Sequence, residues 1–202
     1  MVQKKGSITD EELALDAQAG SRQCFEELVE RYGPKLYHFL RTKIPSEQDR
    51  QDIIQETFMK LFRNIERYDP RWKFSTWIFT ATNRMAISHY RSHSKKIPRD
   101  LPIRSPISPE EMHIIKQQKR NIWLAAQNLK TAHYEALWLH YVEDMSTKQI
   151  ARVMQRTAVA VRSLLHRARI TLAKHMEDNA EEAETTDSLS EGRQISLTEN
   201  RE

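Results

Sequence analysis

The chain has 202 residues, 39% of them apolar, and only 4 glycines, which allows one ordinary domain or two small ones and argues against a β-rich fold with many turns. The single cysteine, Cys24, excludes an internal disulfide framework and reads as a small packing residue. The formal charge of +4 hides an asymmetry: residues 1–176 carry a net +11 and residues 177–202 a net −7, a basic body with an acidic tail that points to a polyanionic partner such as nucleic acid.

Along the chain, residues 1–9 read as a disordered N-terminus without the apolar region of a signal peptide. No later stretch approaches the roughly 18 apolar residues of a membrane span, so a cytoplasmic location is expected. Thr9-Asp10-Glu11-Glu12 has the form of a helix start, with Thr9 as cap and Glu12 reaching back. Phe25, Leu28, Val29 and Tyr32 keep helical spacing. Gly33-Pro34 is expected to interrupt or kink that run before Leu36, Tyr37, Phe39 and Leu40 resume it. Pro45-Ser46 opens a further helix. Its stripe is Ile53, Ile54, Phe58, Leu61, Phe62 and Ile65, with Asp52, Gln55, Glu56, Lys60 and Arg63 facing outward. After Asp69-Pro70, a helix is predicted to start at Ser75 or Thr76 and to run to Tyr90-Arg91, with Phe74, Trp77 and Ile78 in the core.

Pro98, Pro102, Pro106 and Pro109 then rule out a helix and predict an extended, basic linker over residues 94–107. Ser108-Pro109-Glu110-Glu111 restarts helix, with Ser as cap, Pro in the first turn and two acids on the dipole. Its apolar side includes Ile114, Ile115, Ile122 and Trp123, and another helix is predicted over residues 131–142. Beyond Met176 the chain is acidic and rich in Ser and Thr, which predicts disorder over residues 177–202. The expected class is therefore all-α: two small helical domains, residues 10–93 and 108–176, joined by a flexible linker.

The sharpest local signal lies in the second domain. Ser146 and Gln149 form an S-x-x-Q capping box, and Ile150, Ala151 and Met154 supply a buried face. After Gln155-Arg156-Thr157 a second helix begins at Ala158, with Val161, Leu164, Leu165, Ala168 and Leu172 inward. Its outer side carries Arg162, His166, Arg167, Arg169 and Lys174. A helix, a short turn and a basic helix make a helix-turn-helix, whose second member fits the major groove and whose arginines can donate bidentate bonds to guanine. The plainer alternative is an amphipathic hairpin with a solvated basic face. The turn lacks the glycine often found there, so Gln155 or Arg156 must adopt its geometry.

Two separated blocks resemble the extracytoplasmic-function (ECF) group of bacterial sigma factors. The first runs from Asp52 to Phe62 and continues through Phe74-Ser75-Thr76-Trp77-Ile78 and Ala81-Thr82-Asn83-Arg84 to Tyr90-Arg91. The second comprises Met145-Ser146, Ile150-Ala151 and the run from Val161 to Arg169. Together the matching domains span about residues 20–93 and 110–175.

The resemblance implies that the first domain binds core RNA polymerase through Asp52, Gln55 and Glu56 and opens the −10 promoter element. Asn83 matches a family residue of that DNA surface, and Lys73, Arg84 and Arg91 are candidate phosphate contacts beside it. It implies that the second domain reads the −35 element through Arg162, Ser163, His166 and Arg167. Leu164 stands where arginine is usual. Expected partners are core polymerase, promoter DNA and an anti-sigma protein that can hold the factor near the membrane. No cofactor, metal, catalytic residue or small-molecule substrate is expected. The acidic tail is expected to shield the basic second domain. The principal alternative is an operator-binding helix-turn-helix regulator, which gives the first block no role. A nucleic-acid enzyme is disfavoured, since the sequence offers no metal-ligand carboxylate cluster, phosphate-binding glycine loop or nucleophile–base pair. A pure adaptor does not account for the basic helix.

Overall fold

The computed structural model describes residues 8–41, 43–92, 120–126 and 128–177. The expected linker over 94–107, the restart at Ser108 and the tail after Glu177 lie outside the described residues. Among the described residues every regular element is helical, in agreement with the expected class.

In the first domain, α1 (Asp10–Gln18) begins with the anticipated capping box between Thr9 and Glu12, and buries Leu13, Ala14 and Ala17. Helix α2 (Arg22–Arg41) runs through Pro34 without a break, so of the two outcomes expected at Gly33-Pro34, an interruption or a kink, the interruption does not occur. Proline removes one backbone donor; the buried row of Phe25, Leu28, Tyr32, Leu36, Phe39 and Leu40 runs through it and outweighs that loss. Helix α3 (Glu47–Arg63) is capped by Ser46. The Arg50 guanidinium, buried at the α2–α3 turn, donates to the carbonyls of Ile44 and Pro45 and to the Tyr37 hydroxyl.

Ile53, Phe58, Leu61 and Ile65 are buried as predicted, but Phe62 is 48% exposed. It lies at the margin of the stripe, with its ring centroid 5.0 Å from that of Phe25 in an edge-on contact and its outer side open to water. A 3-10 turn (Ile65–Arg67) leads into a loop that ends at α4 (Phe74–Ser92). Helix α4 starts one or two residues earlier than predicted, where the Glu11 carboxylate accepts the Phe74 N–H at 3.0 Å and supplies a cap from a distant helix. Phe74, Ile78 and Phe79 fill the core, edge-on to Tyr32 and Phe39. Trp77 is only partly buried.

The second domain comprises α5 (Arg120–Ala126), α6 (Thr131–Tyr141), α7 (Thr147–Val153) and α8, helical over residues 158–177. Trp123, Tyr134, Leu137, Trp138, Ile150, Val153, Val161 and Leu165 form its core. The capping box of Ser146 and Gln149 is present, and Thr157 caps α8 by accepting from the Ala160 N–H at 3.1 Å. Of the two candidates for the special turn position, Gln155 takes it, at φ 53°.

For a residue with a Cβ, the left-handed region costs on the order of 1–2 kcal/mol, part of which glycine returns as lost chain entropy. Gln155 is exposed and makes no packing contribution to be lost. Gln155→Gly is therefore expected to stabilise the second domain by about 0.5–1 kcal/mol, read as a raised denaturation midpoint. A lowered midpoint would mean that the side chain contributes more than its backbone geometry costs.

Candidate nucleic-acid interface

The helix-turn-helix presents the predicted face. Val161, Leu164, Leu165 and Ala168 are buried, while Arg162, Ser163, His166 and Arg167 are exposed. Positions 162, 163, 166 and 167 follow one another by one, three and one residues, so the four side chains share one face of α8. The Arg167 guanidinium folds back to the Ser163 carbonyl at 3.4 Å. Leu164 turns toward the first domain and lines an interdomain cavity. Hydrophobic packing thus explains the absence of arginine at that position.

The first-domain candidates are divided by the structure. Arg84 is exposed and joins a cavity of about 300 Å³ with Arg67, Tyr68, Asp69, Trp72, Thr76, Trp77 and Thr80. Its walls combine two indoles, a phenol and two guanidinium groups from this domain, which suits an unstacked base and its phosphate. Burial pushes the Tyr68 hydroxyl above its ordinary range, so it stays protonated and donates to the Trp72 carbonyl at 2.7 Å. Lys73 and Arg91 are exposed, outside the lining of that cavity.

Asn83, expected at the DNA surface, is 3% exposed in this arrangement. Its amide donates to the Val153 carbonyl of the helix-turn-helix at 2.8 Å, and its oxygen accepts from Lys43. The second domain covers it because α4 packs directly on α7.

Several further contacts join the domains. Lys43 pairs with Glu135 at 3.1 Å, with side chains 12% and 7% exposed. Lys35 pairs with Glu143 at 3.0 Å. Burial pushes the Glu143 carboxyl above its usual range, and the neighbouring Lys35 ammonium offsets part of that rise. The His38 ring is fully buried, stacks on Trp138 with centroids 3.5 Å apart, and shares a hydrogen bond with the Tyr134 hydroxyl. The Arg152 guanidinium lies 4.6 Å over the Trp72 ring and closes one side of the 300 Å³ cavity. Sequence reasoning passed over His38, Lys43, Glu135 and Arg152. The one usable signal was a histidine inside the apolar row Leu36–Leu40.

Asp52, Gln55 and Glu56 are exposed on the outer side of α3, as predicted. An apolar groove lined by Val29, Pro34, Tyr37, Ile54, Gln55, Phe58 and Met59 runs beside them. Among the described residues no group of three His, Cys, Asp or Glu side chains could hold a metal ion, and no helix is long and apolar enough to cross a membrane.

Comparison with known proteins agrees with both halves. The model of Sigma-70 region 2 matches residues 28–96, and that of Sigma-70, region 4 matches residues 119–172. The ECF RNA polymerase sigma-E factor of Haemophilus influenzae is 27% identical over 175 residues, covering 80% of this chain and 92% of that protein. The ECF RNA polymerase sigma factor SigW of Bacillus subtilis is 22% identical over 172 residues, covering 79% and 92%. Two solved structures share the fold. CnrH in complex with the cytosolic domain of CnrY aligns with a TM-score of 0.57 at 24% identity, covering 84% of this chain and 97% of that one. The sigma factor RpoE in complex with the anti-sigma factor NepR from Bartonella quintana aligns with a TM-score of 0.56 at 17% identity, covering 76% and 96%.

Proposed function

The chain belongs to the sigma-70 family, in its ECF group of RNA polymerase sigma factors, and from that premise we propose how its two domains divide the work of promoter recognition. As a sigma factor it binds core RNA polymerase and directs it to promoter DNA. The observation that carries the division of labour is that one chain holds two unlike surfaces, each with chemistry suited to nucleic acid. One is an exposed helix face with two arginines, a serine and a histidine. The other is a cavity of aromatic rings and guanidinium groups.

Residues 108–176 read the −35 duplex, with Arg162 and Arg167 donating to base edges or phosphates and Ser163 and His166 beside them. Residues 10–93 take the −10 element. An unstacked base enters the cavity between Trp72 and Trp77, and Arg84, Lys73 and Arg91 attract the phosphates. Asp52, Gln55 and Glu56 engage core polymerase, and the apolar groove beside them supplies buried contact area. The chain acts in the cytoplasm and carries no catalytic chemistry of its own; phosphoryl transfer belongs to the polymerase. An anti-sigma partner fits the same reading, since the similar RpoE structure is a complex with the anti-sigma factor NepR.

The docked arrangement is a resting state. Asn83 cannot meet DNA while Val153 and Lys43 occupy its amide, so −10 recognition requires the domains to part.

The test is initiation from a panel of bacterial promoters by core polymerase with and without the purified chain. Promoter-specific transcripts only in its presence are expected. No transcripts, together with no co-elution with core, would return the reading to an operator-binding regulator.

A further inference from the structure

Helix α1 contributes nothing to the lining of the −10 cavity, yet it grips the loop that forms it at both ends. The Gln18 amide donates both of its hydrogens to main-chain carbonyls, to Ile65 at 2.8 Å and to Tyr68 at 2.7 Å. These two carbonyls bracket the 3-10 turn that opens the loop. At the other end, the Glu11 carboxylate accepts the N–H of Phe74, the first residue of α4. Arg67, Tyr68, Asp69 and Trp72 of the cavity wall lie within this bracketed segment.

We propose that α1 is a brace for promoter recognition, with Gln18 and Glu11 acting as positioning residues that hold the 65–74 loop in the shape required for −10 base selection. The proposal rests on the sigma-factor reading of the cavity.

Three observations separate this role from simple folding. First, α1 has its own anchors. Leu13, Ala14 and Ala17 are buried, and Asp10 accepts from Arg31 at 2.8 Å and from the Tyr32 hydroxyl at 2.6 Å. The helix therefore stays docked without Gln18. Second, Gln18 is only partly buried, so losing its amide removes two directed bonds and little apolar contact. Third, beyond its 3-10 turn the bracketed segment has no helical ladder: its bonds are the turn contacts of the Arg67, Tyr68 and Trp72 N–H groups with the Asn64, Ile65 and Asp69 carbonyls, the Tyr68 hydroxyl on the Trp72 carbonyl, and Arg71 on Asp69. These bonds shape the turns, while the placement of the segment against α4 depends on what holds its ends, and base discrimination is sensitive to wall displacements of a fraction of an ångström.

The decisive variant is Gln18→Leu in the full-length chain, of similar size and without donors. It is assayed with core polymerase on a promoter that the wild type uses and on the same promoter with single −10 substitutions. The expected result is a fall of about tenfold in preference for the cognate −10 sequence, with core affinity and −35 duplex binding unchanged. Glu11→Ala should behave likewise, and Glu11→Gln, which keeps an oxygen for the Phe74 N–H, should restore selectivity. Wild-type selectivity in Gln18→Leu would overturn the brace while leaving the sigma-factor reading intact. So would an equal loss of core binding, −35 binding and thermal midpoint, which would make α1 a structural element only. Failure of the wild type itself to initiate would sink the underlying reading and the brace with it.

Discussion

Glu135→Lys will separate the two domains and expose the −10 surface of the free protein. Glu135 belongs to α6 and Lys43 to the first domain, and their 3.1 Å contact is almost sealed from water. Removing one member of such a pair leaves a buried charge without its partner, which typically costs about 3–5 kcal/mol. A second ammonium in its place adds direct repulsion. In this protein the cost falls on docking and spares the fold of either domain, because parting the domains returns both lysines to solvent. The docked population should drop by roughly 100-fold or more.

Three measurements follow. Small-angle scattering should report a larger radius of gyration. A −10 single strand should bind the free protein at least about tenfold more tightly, since Asn83 is released from Val153 and Arg152 leaves Trp72. Thermal unfolding of the separate domains should hardly change. An added lysine strengthens any DNA contact through charge alone, so Glu135→Ala and the surface change Glu66→Lys serve as controls. Unchanged scattering and strand binding in Glu135→Lys would mean that docking does not restrain the protein.

Arg162→Ala will weaken −35 recognition by about 1–3 kcal/mol, or roughly 5- to 150-fold, if its guanidinium makes a bidentate contact to a base. The side chain is exposed on the outer face of α8, beside Ser163 and clear of the buried row at Val161, Leu164, Leu165 and Ala168. Its loss should therefore leave stability within about 0.5 kcal/mol of the parent. Binding of the full chain with core polymerase to a set of −35 variants distinguishes the contacts. A loss confined to one base position marks base reading. A uniform loss with a shallower salt dependence marks a phosphate contact. No loss on any sequence would remove Arg162 from the interface. Arg167 is a weaker choice for the same test, because it also lines the interdomain cavity and its removal would alter docking.

Most of the architecture is local, and local chemistry was readable in advance. The capping boxes at Thr9–Glu12 and Ser146–Gln149 lie three residues apart along the chain and formed as expected. The outward faces of α3 and α8 follow from helical period alone, and with them the exposure of Asp52, Gln55, Glu56, Arg162, Ser163, His166 and Arg167. The errors occurred where distant parts of the chain intervene. Pro34 sits inside a continuous helix because the core on both sides of it is strong. Helix α4 begins early, where Glu11 caps it across 63 residues. Phe62 carries an apolar side chain where the fold provides only a partial wall.

Helicity, the helix-turn-helix and the family that the motifs resemble were legible along the chain, since periodicity, capping and motif spacing are short-range properties. The covering of Asn83 and the docking of one domain on the other emerge only in three dimensions. The contacts responsible join residues 70 apart at Asn83 and Val153, 96 apart at His38 and Tyr134, and 108 apart at Lys35 and Glu143. A lysine, a histidine or an asparagine on a helix looks the same in sequence whether water or another domain faces it. The difference is made by desolvation and pairing, which exist only once the two surfaces have met.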